Sequence, residues 1–124
     1  GCTRNAYHLY MFRYDASKFA GIPRDKFIQA LSKEGISCGS GYTPLNKEPF
    51  IEKTLTSRAF QAVFSKEHLD RYRKENECPA NDRLCKEEAV WFFQNMMLGT
   101  KSDMDEIAAA VRKIHKNMDT LAKA

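Results

Sequence analysis

The sequence predicts a small α+β domain, a mostly antiparallel sheet of a few strands covered by helices on one side. Three observations carry that prediction. Two runs, 6–14 (AYHLYMFRY) and 90–94 (VWFFQ), are dense in the aromatic and β-branched residues that favour strands. The stretch 102–121 repeats apolar side chains at spacings of three and four, the signature of an amphipathic helix. The 124 residues fit one domain.

The first strand, 6–14, should place Tyr10, Phe12 and Tyr14 on one face and Leu9, Met11 and Arg13 on the other. Residues 15–21 read as a loop. Pro23 suits the first turn of a helix, where a missing N–H costs nothing. Phe27, Ile28 and Leu31 then form its apolar stripe, and Gly35 stands where a left-handed C-cap belongs. Residues 36–38 are expected to form a short second strand that ends at a glycine loop. Phe50, Ile51 and Leu55 imply a helical turn or two. The charged stretch 65–76, with Leu69 and Tyr72 as its only large apolar groups, reads as a solvated, mobile segment. Cys78-Pro79 opens a helix through about residue 88, with Leu84 and Cys85 inward. A third strand follows over 90–94. The last helix is assigned Ser102 as its N-cap, with Asp103, Asp105 and Glu106 at the positive end of its dipole. Its stripe is Met104, Ile107, Ala108, Val111, Ile114, Met118 and Leu121.

Hydrophobic residues make up 43% of the chain, enough for a modest core, and charged residues 29%. The net charge of +4 is spread among both signs without a long basic run, so neither a nucleic-acid partner nor a membrane is expected. No apolar run approaches the ~20 residues of a membrane span. Cys2, Cys38, Cys78 and Cys85 form no C-x-x-C pair, and free thiols in a cytoplasmic protein are expected. The chain opens on Gly1 rather than Met, and is expected to be part of a longer protein.

Candidate chemistry is sparse. His8 reads as a structural histidine, and His68 and His115 as surface residues; the three make no ligand motif. Cys38 reads as a small buried hydrophobe rather than a nucleophile, since no base is placed to activate it. Asp103 and Asp105 are explained by the helix dipole. No phosphate-binding glycine motif is present. The exception is the loop Gly39-Ser40-Gly41-Tyr42-Thr43-Pro44. Glycine lets a backbone approach a ligand, and Ser40 and Tyr42 can bond to hydroxylated molecules. A plain turn explains the same residues equally well.

Three stretches together resemble the C-terminal region of the DegT/DnrJ/StrS family of sugar aminotransferases. They are Tyr7-His8-Leu9-Tyr10 running to Arg13-Tyr14-Asp15; 24–31 followed by Glu34-Gly35-Ile36 and Gly41-Tyr42-Thr43-Pro44-Leu45; and Cys78-Pro79, 85–90, Gln94-Asn95-Met96-Met97-Leu98-Gly99 and Asp103-Met104-Asp105-Glu106-Ile107. The resemblance covers nearly the whole chain in order. The Tyr42-Thr43-Pro44-Leu45 form is similar to the branch acting on cyclitols such as scyllo-inosose.

That resemblance implies the small C-terminal domain of a fold-type-I pyridoxal phosphate enzyme, with residues 1–124 forming one domain and the large cofactor domain lying outside them. The parent protein would move an amino group from glutamate or glutamine to a keto-sugar or keto-cyclitol. The small domain would close the substrate site, and the enzyme would work as a homodimer. No lysine here lies in a context like the family's cofactor lysine. No cofactor is therefore expected on this chain, which by itself should be inactive. Ser40, Gly41 and Tyr42, preceded by Gly39, match the family's loop near the substrate. Asn46 stands where many relatives carry a histidine. The competing reading is a non-catalytic interaction or dimerisation module.

Overall fold

The structure is a computed structural model that describes residues 1, 3 and 5–123. The chain divides into two compact units, residues 1–41 with 87–124 and residues 42–86.

The first unit holds a three-stranded antiparallel sheet in the order β1-β3-β2. Its strands are β1 (Leu9–Arg13), β2 (Gly39–Ser40) and β3 (Ala89–Phe93). The central strand pairs Phe12 with Val90 and Met11 with Trp91 on one side, and Gly39 with Trp91 and Ser40 with Val90 on the other. Residues paired across an antiparallel ladder share a face. Phe12, Val90, Phe92 and Ser40 therefore face one way, and Met11, Trp91 and Gly39 the other.

The first face meets the helices α1 (Arg24–Lys33) and α6 (Lys101–Lys116), giving the predicted α+β class. Tyr14, Phe27, Leu31, Val90, Phe92, Ala110 and Ile114 form the buried core. Rings organise it. Phe27 stacks on Tyr14 at 4.7 Å and meets the edge of Phe19 at 5.1 Å, and Phe12 lies 5.3 Å from Phe92. The Tyr14 hydroxyl donates to the Ile22 carbonyl at 2.8 Å, which secures the turn before α1. Pro23 caps α1. At its other end the Ile36 N–H reaches the Leu31 carbonyl and the Gly35 N–H the Ser32 carbonyl. That is a Schellman closure, with Gly35 at φ +83° as its position requires.

The structure corrects several expectations. The second strand is Gly39–Ser40, and 36–38 lead into it without pairing. Short strands are set by cross-strand packing, which a local sequence pattern does not report. The last helix begins two residues earlier than Ser102 implies. Thr100 is its N-cap, in a capping box in which its hydroxyl accepts from the Asp103 N–H and Asp103 accepts from the Thr100 N–H. The helix also breaks at Asn117, and α7 (Met118–Lys123) follows. At that end the Asn117 side-chain amide donates to the Lys113 carbonyl at 2.8 Å, beside the backbone N–H of the same residue, which reaches the same oxygen at 3.1 Å. Asp105 pairs with Lys101 on the helix surface. Thr100→Ala should cost about 0.5–2 kcal/mol and Ser102→Ala close to nothing, as read by urea titration. A larger loss at Ser102 would return the cap to that residue.

The second unit contains α2 (Pro49–Leu55), α3 (Arg58–Val63), α4 (Lys66–Glu75) and α5 (Pro79–Arg83); a π-helical turn at Leu84–Glu88 follows α5 in the chain. The stretch expected to be mobile is thus a helix. Its signal was Ser65, whose hydroxyl accepts from the His68 N–H. Arg73 grips Glu52 of α2 through two bonds of 2.9 and 3.1 Å and also reaches Asp70. Leu55 and Leu69 are buried, while Leu84 and Cys85 are half-buried.

Candidate functional site

Ser40 closes β2 and is half-buried, with its side chain on the same face as Val90. Gly41 follows it, also half-buried, at the end of the first unit's leading segment. Tyr42 opens the second unit with 63% of its surface exposed. Thr43 and Pro44 continue to a 3-10 turn at Leu45–Lys47.

Gly39 has a definite reason to be glycine, and it is not loop freedom. A Cβ built there would overlap the Trp91 indole, falling 2.8 Å from Cε2 and closer still to Nε1. Atoms at such distances do not coexist. Sequence reasoning missed Trp91 as the partner of this loop, because the register that sets Trp91 opposite Gly39 is a non-local fact.

Asn46, the position where the family resemblance leads one to look for a histidine, is occupied in holding the second unit together. Its amide donates to the Asn76 carbonyl at 2.7 Å, tying the 3-10 turn to the end of α4. Next to it Lys47 pairs with Asp82 at 2.8 Å.

His8, expected as a structural histidine within the first strand, is exposed and lies just ahead of β1, which starts at Leu9. His68 is exposed as expected, stacked on Phe64 at 5.1 Å and in contact with Arg71. His115 is exposed too, edge-on to Phe19. Cys38 packs against the core, half-buried, and desolvation pushes its thiol pKa up, away from a reactive thiolate. Cys38, Cys78 and Cys85 are free thiols; Cys2 lies outside the described residues. Among the described residues no group of His, Cys, Asp and Glu side chains is placed to hold a metal ion. Among them, too, no helix is long and apolar enough to cross a membrane.

An amine that forms an imine with a carbonyl cofactor must lose its proton readily. Lys47 and Lys66 face the opposite constraint. The hydrogen bonds and charges of Asp82 and Asp70 hold their pKa values above the ordinary lysine range. Lys101 and Lys113 are exposed and paired with Asp105 and Glu34. These lysines do not fit the attachment of such a cofactor.

Two surface features remain. An open groove of about 560 Å³ runs between α1 and the α6–α7 pair, edged by Lys26, Lys33 and Lys113 over Ala30, Ile114 and Leu121. Lys33 and Lys113 lie in the last turns of α1 and α6, where cations compensate the helix dipole, and Lys113 is neutralised by Glu34 at 2.7 Å. The second feature is apolar. Met11 and Phe93, 55% and 42% exposed, lie on the Trp91 face of the sheet, while Tyr10, 39% exposed and 5.4 Å from Tyr7, belongs to the other face.

No protein-family model matches the chain. Curated proteins do match it over nearly its whole length. It is 29% identical over 122 residues to the putative L-glutamine:3-amino-2,3-dideoxy-scyllo-inosose aminotransferase of Streptoalloteichus tenebrarius, covering 96% of this chain and 29% of that protein. It is 28% identical over 123 residues to the L-glutamine:2-deoxy-scyllo-inosose aminotransferase of Streptomyces kanamyceticus, covering 98% of this chain and 28% of that protein. It is 28% identical over 124 residues to the L-glutamine:scyllo-inosose aminotransferase of Streptomyces griseus, again covering 28% of the relative. The chain thus spans less than a third of the length of these relatives. The resemblance read from the sequence holds: along almost all of its residues the chain is similar to part of the L-glutamine:inosose aminotransferases, consistent with a C-terminal piece of such an enzyme.

Proposed function

We propose that the chain is the C-terminal domain of a longer, pyridoxal phosphate-dependent aminotransferase that moves an amino group from L-glutamine to a keto-cyclitol. The observation that carries this reading is the match of nearly the whole chain to several inosose aminotransferases, each over the same small share of its length. On this reading the cofactor and its lysine belong to the rest of that protein; Lys47 and Lys66, held protonated by Asp82 and Asp70, do not suit the role. The cofactor supplies the amino-group chemistry; this chain binds and encloses the acceptor. Ser40, Gly41 and Tyr42 are the residues assigned to it. A cyclitol presents hydroxyls in fixed directions, and a serine hydroxyl, a phenol and backbone N–H groups are suited to receive them. The exposed Met11 and Phe93, together on the Trp91 face of the sheet, supply apolar surface for packing on the remainder of the protein or on a second subunit of a cytoplasmic homodimer.

A non-catalytic interaction module would use the same apolar surface, and an assay separates the two. The full-length protein is given pyridoxal phosphate, L-glutamine and scyllo-inosose or its 2-deoxy form. Transfer of the amino group is expected; its absence with every inosose, in a protein that folds, leaves the interaction module. Tyr42→Phe should lower kcat/KM for the acceptor about two- to twelvefold, the worth of one neutral hydrogen bond, with the melting temperature unchanged. Unchanged kinetics would make 39–44 a plain turn.

A further inference from the structure

We propose that Trp91 is the positioning residue for the segment Gly39-Ser40-Gly41, acting as a register lock on the second strand. The inference rests on the assignment of that segment to the acceptor site. β2 is two residues long, at the edge of the sheet, and its ladder is too short to fix its register through backbone bonds alone. The side chain opposite it supplies what is missing. Trp91, on the central strand and 6% exposed, lies over the bare backbone of Gly39. On its other flank Trp91 is paired with Met11.

The indole selects against every neighbouring register. Even one methyl group at position 39 would collide with it. A slip by one residue would bring Cys38 or Ser40 opposite Trp91, each with a Cβ and a heavier atom beyond it. Such a slip also turns every side chain of the strand to the other face of the sheet. Glycine at 39 thus allows one alignment, and that alignment sets Ser40 beside Val90 and fixes where Gly41 leaves the sheet. Trp91 needs no contact with substrate to do this.

The test is a double-mutant cycle in the full-length protein with two readouts, hydrogen–deuterium exchange of the peptide covering 36–45 and steady-state kinetics with the inosose acceptor. Gly39→Ala is expected to speed exchange of that peptide at least tenfold and to raise KM for the acceptor at least fivefold, with kcat changed less. In the Trp91→Leu background, where the indole is gone, Gly39→Ala should change both quantities less than twofold. Trp91→Phe alone, a milder change that keeps an aromatic ring in place, should speed exchange a few-fold and so covers the case in which Gly39→Ala does not fold. Equal effects of Gly39→Ala in both backgrounds, or unchanged exchange in every variant, would overturn the lock. Exchange that follows the cycle while KM stays constant would leave the lock standing and overturn the assignment of the segment to the acceptor site.

Discussion

Phe27→Ala should destabilise the first unit by about 3–5 kcal/mol, the largest effect expected of any single substitution in it. Phe27 is 1% exposed and touches two other rings, Tyr14 and Phe19, so its removal takes away its own burial and the contacts that order its neighbours. The cavity lies between α1 and the sheet, where backbone hydrogen bonds on both sides resist collapse. Ile114→Ala, 6% exposed on α6, should cost about 2–5 kcal/mol. Ile107→Ala, half-buried near the start of α6, should cost less than Ile114→Ala. The chain's single tryptophan, Trp91, reports on the first unit directly, so its fluorescence during urea unfolding gives the measurement. A Phe27→Ala midpoint equal to the parent's would show that α1 does not hold the sheet.

The positions of those losses could be read from the sequence, though not their order. Phe27 and Ile114 stand at helical spacing in clearly marked helices, and both are buried, but Ile107 stands in the same stripe as Ile114 and is only half-buried. The strands β1 and β3 were legible for a similar reason, since runs such as Val90-Trp91-Phe92 leave no alternative to burial. Caps were harder. Thr100 and Ser102 are both good N-caps two residues apart, and only the reciprocal bond to Asp103 decides between them. The helix α4 was hidden because just one of its side chains, Leu69, is buried, and a helix held by Arg73, Glu52 and a serine cap looks like any charged segment.

The candidate site was legible as a motif and illegible as a geometry. Gly39 and Gly41 read alike in sequence, yet Gly39 is pinned beneath an indole 52 residues away in the chain. No local pattern reports a contact of that range. Asn46 shows the same limit from the other side. As a departure from a family pattern it draws attention to substrate binding, while in the structure its amide is engaged with the Asn76 carbonyl.

Tyr14 should make the protein's stability fall on the alkaline side more steeply than its lysines alone would. Burial, and then the neighbouring Asp15 carboxylate, push its phenol pKa up to about 12 from an ordinary value near 10. A folded-state pKa above the unfolded one means that folding favours the protonated phenol. The stabilisation is complete below pH 10 and is lost as pH rises through about 12. A rise from near 10 to about 12 would correspond to about 2.7 kcal/mol. Part of the shift comes from Asp15, which is exposed and screened by solvent, so about 1–2 kcal/mol is expected. Tyr14→Phe separates the phenol's contribution from that of every other group that loses a proton in alkali. That variant has no phenol to ionise, so its stability should change less between pH 10 and 12. It also leaves the Ile22 carbonyl without its 2.8 Å donor and should cost about 1–3 kcal/mol at pH 7. Urea titrations of both proteins at pH 7, 10 and 11.5 give the comparison. Parallel losses above pH 10 would mean that the phenol ionises no less readily in the folded chain than in the unfolded one, and that the bond to Ile22 does not protect its proton.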